Sequence, residues 1–153
     1  YEIIRRLFSA TEIPDLHCSV DTRLAKQQPD GTWDIPLVLE NRSTAIAENA
    51  MATVTILSNK SCESVSITQF IDISSVNPGT HIFSREIPGL IYQHLNSIIG
   101  SIRPKMAIGK QPKRLLRFSV TIYARKMPAT RSTFTVELAK RGVSVKAMKE
   151  EHL

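Results

Sequence analysis

Cysteine is scarce in this sequence, which has only Cys18 and Cys62 among its 153 residues. Two cysteines are too few for a disulfide framework or for a zinc site, which needs three or four closely spaced ligands. With Trp33 between them they follow the order found in immunoglobulin domains, but Lys60 stands two residues before the second cysteine, where that fold has a corner tyrosine. We therefore expect both cysteines to be small core or half-buried residues.

Long apolar runs are also missing. No stretch reaches the roughly 18 consecutive apolar residues of a membrane-spanning helix. The chain begins at Tyr1 without an initiating Met, and its first residues lack the apolar run and cleavage site of a signal peptide. We expect a cytoplasmic fragment of a longer protein, with no membrane contact.

Recognised catalytic motifs are absent as well. The sequence has no glycine-rich phosphate loop, Gly-x-Ser-x-Gly turn, Cys-x-x-Cys pair or His-Glu-x-x-His helix. Histidine catalysis or metal binding needs two histidines and a carboxylate on converging elements. Of His17, His81, His94 and His152, only His17 has a potential ligand nearby, Asp15. We expect surface histidines, no metal, no cofactor and no enzymatic activity.

Carboxylates are absent between Ser101 and Arg131, where nine basic residues occur. These residues are Arg103, Lys105, Lys110, Lys113, Arg114, Arg117, Arg125, Lys126 and Arg131. Residues 1–100 hold seven Lys and Arg against eleven Asp and Glu, so the last third of the chain produces the whole net charge of +6. A one-sided charge of this kind favours an anionic partner.

Geometry divides this basic segment into two clusters. Residues 109–112 predict a hairpin turn, and a following strand of about ten residues, at about 3.3 Å each, places the next connection at 127–130 roughly 30 Å away. The larger cluster surrounds the hairpin at 105–117 and comprises Lys105, Lys110, Lys113, Arg114 and Arg117. These side chains are candidates for weak contact with nucleic-acid phosphates. The alternative is a solvated, lysine-rich hairpin that protects a sheet edge against aggregation.

What the sequence does contain is alternation of apolar and polar residues with a period of two. Segments such as 33–39, 50–56, 116–124 and 134–138 alternate in this way, with turn residues between them. The pattern predicts a mainly β protein, an antiparallel immunoglobulin-like β-sandwich of about 7–9 strands. Pro36 cannot donate a ladder hydrogen bond, so its strand is expected at an edge or at a bulge.

The ends of the chain depart from this period. Apolar residues at helical spacing between positions 3 and 8 predict a short N-terminal helix, so that 1–13 form a helical linker from a preceding domain. The sandwich is expected at 14–146, and 147–153 are expected to be a charged, frayed tail. Between 90 and 102 the apolar spacing fits either a buried strand or a helix, and we favour the strand.

Two groups of motifs resemble known bacterial modules. The first is the run Leu39-Glu40-Asn41-Arg42-Ser43-Thr44-Ala45-Ile46-Ala47, which is similar to the strand-turn-strand of immunoglobulin-like sandwich modules. The second comprises 76–100, 121–127 and 138–145, which resemble the region that follows the Schlafen AlbA-type domain in bacterial DNA-binding proteins. Those proteins are often labelled transcriptional regulators or relatives of RecG-like helicases. The resemblance implies a bacterial cytoplasmic protein whose nucleic-acid-binding part lies upstream of Tyr1, and it supplies no catalytic residues.

Two functions follow from these observations. The first is a non-enzymatic accessory domain that mediates contacts with a protein partner, or self-association, for the attached DNA-binding module. It predicts an exposed apolar patch, with the strand around Pro36 as its expected place. The second is non-specific phosphate binding by the hairpin at 105–117, joined by Arg125, Lys126 and Arg131 if the twist of the sheet brings them round. An enzyme built around His17, His81 or His94 is the least favoured function.

Overall fold

The computed structural model describes residues 13–58, 62–74, 81–106, 114–139 and 141–153. Within these ranges the chain forms eleven β-strands and no α-helix. The strands are β1 (Leu16–Val20), β2 (Lys26–Gln27), β3 (Trp33–Asn41), β4 (Ala50–Ser58), β5 (Cys62–Ile67), β6 (Ile71–Asp72), β7 (His81–Ile87), β8 (Ser97–Met106), β9 (Leu115–Tyr123), β10 (Thr130–Ala139) and β11 (Gly142–His152). The prediction of a mainly β fold is confirmed, and the predicted helix at 3–8 lies outside the described residues.

The strands form two antiparallel sheets. The first has the order β1–β3–β8–β5, with β2 also pairing with β3. The second has the order β11–β10–β9–β4–β7–β6. The described strands outnumber the expected 7–9, because β2 and β6 are pairings of two residues that alternation does not mark. The immunoglobulin-like topology stays a prediction.

Alternation along the long strands decides which side chains are buried. In β3, Ile35 and Leu37 face the interior, and in β10 Phe134 and Val136 do the same. Phe118 of β9 packs against Phe134 with the ring centroids 5.3 Å apart. Inward side chains of both sheets form a single buried cluster, so the core lies between the sheets.

Pro36 lies inside the first sheet, because β3 pairs with β1 on one side and with β8 on the other. A register shift follows between Leu37 and Val38, but the extra residue there is Ile99 of β8, and Pro36 itself is paired with Ser101. The carbonyl of Pro36 accepts a hydrogen bond of 3.0 Å from the backbone N–H of Asp21. In an antiparallel strand the N–H and C=O of one residue point to the same neighbour. The N–H that Pro36 lacks would therefore point towards Asp21, just after the last paired residue of β1, Val20, so no ladder bond within β1 is lost.

The hairpin predicted at 105–117 is wrong. Strand β8, which contains Lys105, pairs with β3 and β5 of the first sheet. Strand β9, which contains Arg117, pairs with β4 and β10 of the second sheet. The chain therefore crosses from one sheet to the other between β8 and β9. Alternation cannot reveal such a crossing, because it reports which face of a strand is buried and not which strand is its neighbour.

Two other segments also differ from the prediction. Residues 147–152 are the second half of β11 and pair with β10 as far as His152, rather than forming a frayed tail. Between 90 and 102 the favoured strand exists, but it begins only at Ser97. The described part of the chain contains no helix with the length and hydropathy needed to cross a bilayer.

Candidate interaction surface

The connection from β7 to β8 is organised by Asn41 at the end of β3. Its side chain is completely buried, and the amide nitrogen donates to the carbonyls of Ala45 at 2.8 Å and Ile91 at 3.0 Å. The N–H of His94 donates to the carbonyl of Asn41 at 3.2 Å, and an isolated bridge joins Ala47 to Ile91. These bonds fix the backbone of 91–94 without a regular strand. They give a physical reason for the asparagine in the 39–47 motif.

Large apolar side chains on this connection and at the start of β8 are exposed. Leu90 is 52% exposed, Tyr92 46%, Leu95 57% and Ile98 54%, whereas the neighbouring Ile91 is buried. Single exposed apolar residues are ordinary on protein surfaces, but a contiguous group marks a contact surface. We call Leu90, Tyr92, Leu95 and Ile98 the apolar surface.

The members of the apolar surface line one depression of about 200 Å³, together with Pro88 and the facing ends of β7 and β8. Among the described lining residues the only charged one is Arg85. Its guanidinium donates to the backbone carbonyl of Ile99, which holds the charge within the protein. The depression therefore has a mixed lining of apolar and polar groups, with Arg85 as its one described charge.

The cationic residues predicted at 105–117 do not share one sheet. Lys105 is exposed on β8 of the first sheet, and Arg117 is exposed on β9 of the second. Arg114 precedes β9 and is half-buried, with its carbonyl accepting a hydrogen bond from the N–H of Leu138 at 2.8 Å. Lys110 and Lys113 lie outside the described residues.

Lys105 lies beside an acidic turn rather than among other cations. An isolated β-bridge pairs Lys105 with Thr32, and only Gly31 separates Thr32 from Asp30 in the sequence. Hydrogen bonds from Thr32 lower the pKa of the Asp30 carboxyl, and the charge of Lys105 adds a smaller effect in the same direction. The carboxylate at this turn weakens the case for Lys105 as a phosphate ligand.

His17 is buried, at 6% exposure, which contradicts the expectation of a surface histidine. Its Nε2 lies 2.7 Å from Oδ1 of Asp15. Its Nδ1 lies 3.5 Å from Oε1 of Glu150, without hydrogen-bond geometry, and its ring meets that of His152 edge-on at 6.3 Å. The guanidinium of Arg42 contacts both carboxylate oxygens of Glu150 at 3.5 Å. These contacts join β11 to β1 and to the chain after β3, so they tie the two sheets together.

The remaining histidines, His81, His94 and His152, are exposed, as expected. Within the described ranges, no group of three or more His, Cys, Asp and Glu side chains is arranged to hold a metal ion. Asp15 and Glu150 are the carboxylates that face His17. We assign this group a structural role, because the contacts it makes join strands of different sheets.

The two cysteines are free, with Cys18 buried in the core and Cys62 half-buried, as the sequence predicts. Burial raises the pKa of the Cys18 thiol to about 12. Burial also raises the pKa of the Cys62 thiol. Neither thiol has the lowered pKa that marks a reactive cysteine.

The expected apolar patch exists, but not at the strand around Pro36, because that strand is interior and Pro36 is buried. The signal for its true place was the apolar spacing of 90–102, which fits both a strand and a helix and so marks a segment whose burial alternation does not decide. No protein-family model matches this chain, and no curated protein matches it.

Proposed function

We propose that this chain is a non-enzymatic accessory domain that mediates protein contacts, and that it does so by self-association through the apolar surface. The observation that carries the proposal is the exposure of four large apolar side chains around one depression. Exposed apolar area of this kind favours association, because burying it removes apolar surface from water.

A second copy of the chain is the partner that the charge pattern favours. In a two-fold contact the same patch lies on both subunits, so a patch with charges of one sign brings like charges together. The described lining of the depression contains one charged residue, Arg85, whose guanidinium donates to the carbonyl of Ile99 and stays cationic. The four side chains of the apolar surface are uncharged, so the contact between two copies brings together only that one cation from each.

The energies predict a weak dimer. Each half-exposed side chain contributes about 1 kcal/mol when the rest of its surface is buried, so the four on each of two copies contribute about 8 kcal/mol. Association costs at least about 4 kcal/mol in lost translational and rotational freedom. With that minimum cost the difference is about 4 kcal/mol, which corresponds to a Kd of about 1 mM.

The resemblance to the region that follows Schlafen AlbA-type domains supports the attachment of this domain to a bacterial, cytoplasmic DNA-binding module. A weak contact suits that setting. Two chains held close together by another module experience effective concentrations in the millimolar range, at which a dimer with a Kd of about 1 mM forms. The domain would then stabilise an assembly that other parts of the protein begin.

Sedimentation equilibrium from about 20 µM to about 2 mM tests the proposal. We expect the wild-type chain to approach dimer at the upper end, and the double variant Leu95→Ser, Ile98→Ser to stay monomeric. Leu24→Ser is the matched control, because Leu24 is 48% exposed and lies outside the lining of the depression. A wild-type chain that remains monomeric throughout, or a double variant that associates as the wild type does, would contradict the proposal.

A further inference from the structure

The outer face of the second sheet carries hydroxyl groups in adjacent rows. Thr53 and Thr55 of β4, Ser119 and Thr121 of β9 and Thr133 of β10 all alternate with core residues and so point away from the core. The strand registers place Thr53 opposite Thr121, and Thr55 opposite Ser119, which in turn lies opposite Thr133. Three neighbouring strands thus place small hydroxyl side chains side by side. Those of β4 and β10 are half-buried, whereas Ser119 and Thr121 of β9 are only 6% and 7% exposed.

Cations stand on the same face. Arg131 lies opposite Thr121 and Lys149 lies opposite Thr133, while Arg117 continues the outward row of β9 beyond Ser119. Thr55, Ser119, Thr121, Thr133 and Arg131 line one depression of about 260 Å³, together with Leu57 and Glu151.

These cations have no ion-pair partner among the described residues, in contrast to others nearby. Lys146 is paired with Glu137 at 3.1 Å, and Arg125 is paired with Glu48 at 3.5 Å. No ion pair within 4.0 Å joins Arg117, Arg131 or Lys149 to another described side chain. We call Arg117, Arg131 and Lys149, with the hydroxyl rows between them, the cationic face.

The spacing of the cations selects the kind of anion. With about 3.3 Å per residue along a strand and about 4.8 Å between strands, the Cα atoms of Arg131 and Lys149 are about 8 Å apart, and Arg117 is about 12–14 Å from both. A single phosphate group is too small to meet all three. A nucleic acid, with one phosphate per strand for about every 3.4 Å of duplex axis, can contact all three cations at once.

We propose that the cationic face binds the phosphate backbone of nucleic acid without sequence preference. Arginine, lysine, serine and threonine side chains are the donors that contact phosphate oxygens in such complexes. The stretch between the cations contains no aromatic ring, so contact there is made with the backbone. Tyr123, the next outward residue of β9 after Thr121, is 43% exposed at the margin of the face and offers one ring for stacking. This surface shares no residue with the apolar surface, and the inference does not depend on the self-association proposed above.

Three described carboxylates on the same face limit the affinity. Glu86 of β7, exposed and opposite Met51 in the outward row, lies two strands away from β9. Glu137 is engaged by Lys146, whereas Glu151 lies opposite Arg131 and lines the same depression. Three phosphate contacts, at about −0.9 each, give a slope of about −2.7 for the logarithm of affinity against that of salt. Affinity then falls about 40-fold between about 50 and about 200 mM salt. The Kd expected at physiological salt, between those two concentrations, is about 1–100 µM.

Fluorescence anisotropy of a labelled random duplex, at about 50 and about 200 mM salt, tests the inference with the whole chain. The triple variant Arg117→Gln, Arg131→Gln, Lys149→Gln is expected to lose binding. Its matched control removes the same charge from exposed sites elsewhere, as Arg23→Gln, Lys26→Gln, Lys105→Gln. The control is expected to keep at least half of the wild-type affinity, and Glu151→Gln is expected to raise affinity severalfold.

Three results would overturn the inference. One is the absence of duplex binding at the lower salt. Another is a control variant that loses as much affinity as the face variant, since that would assign binding to net charge or to the sites around Lys105. The third is binding to vesicles containing phosphatidylserine without binding to the duplex. Circular dichroism of each variant checks that the strands have formed.

Discussion

At the scale of the residue, Asn41 is the side chain on which the apolar surface depends most. Besides its two donated bonds, its Oδ1 accepts from the N–H of Ser43 at 3.0 Å and of Asp15 at 3.3 Å. Alanine at this position removes four side-chain hydrogen bonds to the backbone, which contribute about 0.5–1.5 kcal/mol each. We expect Asn41→Ala to lower the free energy of unfolding by about 3 kcal/mol, measured by urea denaturation.

A nearby exposed asparagine provides the control for that prediction. Asn96 lies on the same connection and is exposed, so Asn96→Ala should change the free energy of unfolding by less than about 0.5 kcal/mol. Equal effects of the two substitutions would mean that the hydrogen bonds of Asn41 do not organise the connection.

Cys18 predicts a dependence of stability on pH. Its thiol has a pKa of about 12 in the folded chain, raised by burial from an ordinary value of 9.0. Above about pH 9 the unfolded thiol loses its proton while the folded thiol keeps it, so this contribution to stability is complete below pH 9 and is lost as the pH rises towards 12. The loss amounts to about 1.4 kcal/mol per pH unit.

The variant Cys18→Ala isolates this contribution. We expect the free energy of unfolding to fall more steeply with pH in the wild type than in the variant between about pH 9 and about pH 11, because lysine and tyrosine titrate equally in both. Reversible urea denaturation at each pH provides the measurement. Parallel curves for the two proteins would show that the buried thiol does not resist ionisation.

At the scale of the element, β11 is an integral strand of the second sheet. Its second half pairs with β10, and its Glu150 contacts Arg42 and His17. A chain that ends at Lys146 loses this part of the ladder and exposes the edge of β10 from Thr130 to Thr135. We expect the truncation to lower the free energy of unfolding by at least about 2 kcal/mol, since each lost hydrogen bond contributes about 1 kcal/mol.

A surface substitution on β11 is the control for the truncation, because it removes a side chain but keeps the backbone pairing of the strand. Lys149→Ala keeps the whole strand and should change the free energy of unfolding by less than about 0.5 kcal/mol. If the truncated chain unfolds at the same urea concentration as the wild type, the segment contributes nothing to the sheet.

The sequence predicts well those strands in which one face is buried and the other is exposed, because that pattern is visible within the strand itself. Alternation locates β3, β4, β9 and β10, because a strand with one covered face must place apolar residues at every second position. The residues of a strand do not show which other strand it pairs with, which is why β8 and β9 were wrongly predicted to form a hairpin. The second half of β11 was taken for a tail because its charged residues, exposed at a sheet edge, resemble those of a solvated terminus.

The composition of the candidate surfaces depends even more strongly on which strands pair with each other. The basic residues of 101–131 were visible in the sequence, but their grouping was not, since Lys105 and Arg117 belong to different sheets while Arg117 and Arg131 share a face. Lys149, more distant in sequence, joins them through the pairing of β10 with β11. Tertiary neighbours of this kind require the strand order.

At the scale of the whole molecule, the interleaving of the strands removes the charge asymmetry of the chain. Residues 1–100 are acidic in sum and the remainder is basic. Both sheets nevertheless contain strands from each part, because β8 enters the first sheet and β9 joins β4 in the second. Among the described strands, each sheet therefore carries charges of both signs. Local faces, rather than the net charge, decide what it binds.

The apolar surface and the cationic face share no residue. A dimer formed through the apolar surface therefore leaves a cationic face on each copy available for phosphate. Two weak phosphate contacts on one nucleic acid then act together, so that dimer formation and duplex binding strengthen each other.

Self-association through the apolar surface is the central claim, and a dilution series of ¹H–¹⁵N spectra tests it most directly, from about 2 mM to about 20 µM of the 17.1 kDa chain. We predict that the backbone amides that shift with concentration are those of 88–99, with a common Kd of about 1 mM. Shifts confined to β11 would assign association to the free edge of the second sheet. Either that result or spectra that do not change with concentration would contradict the account.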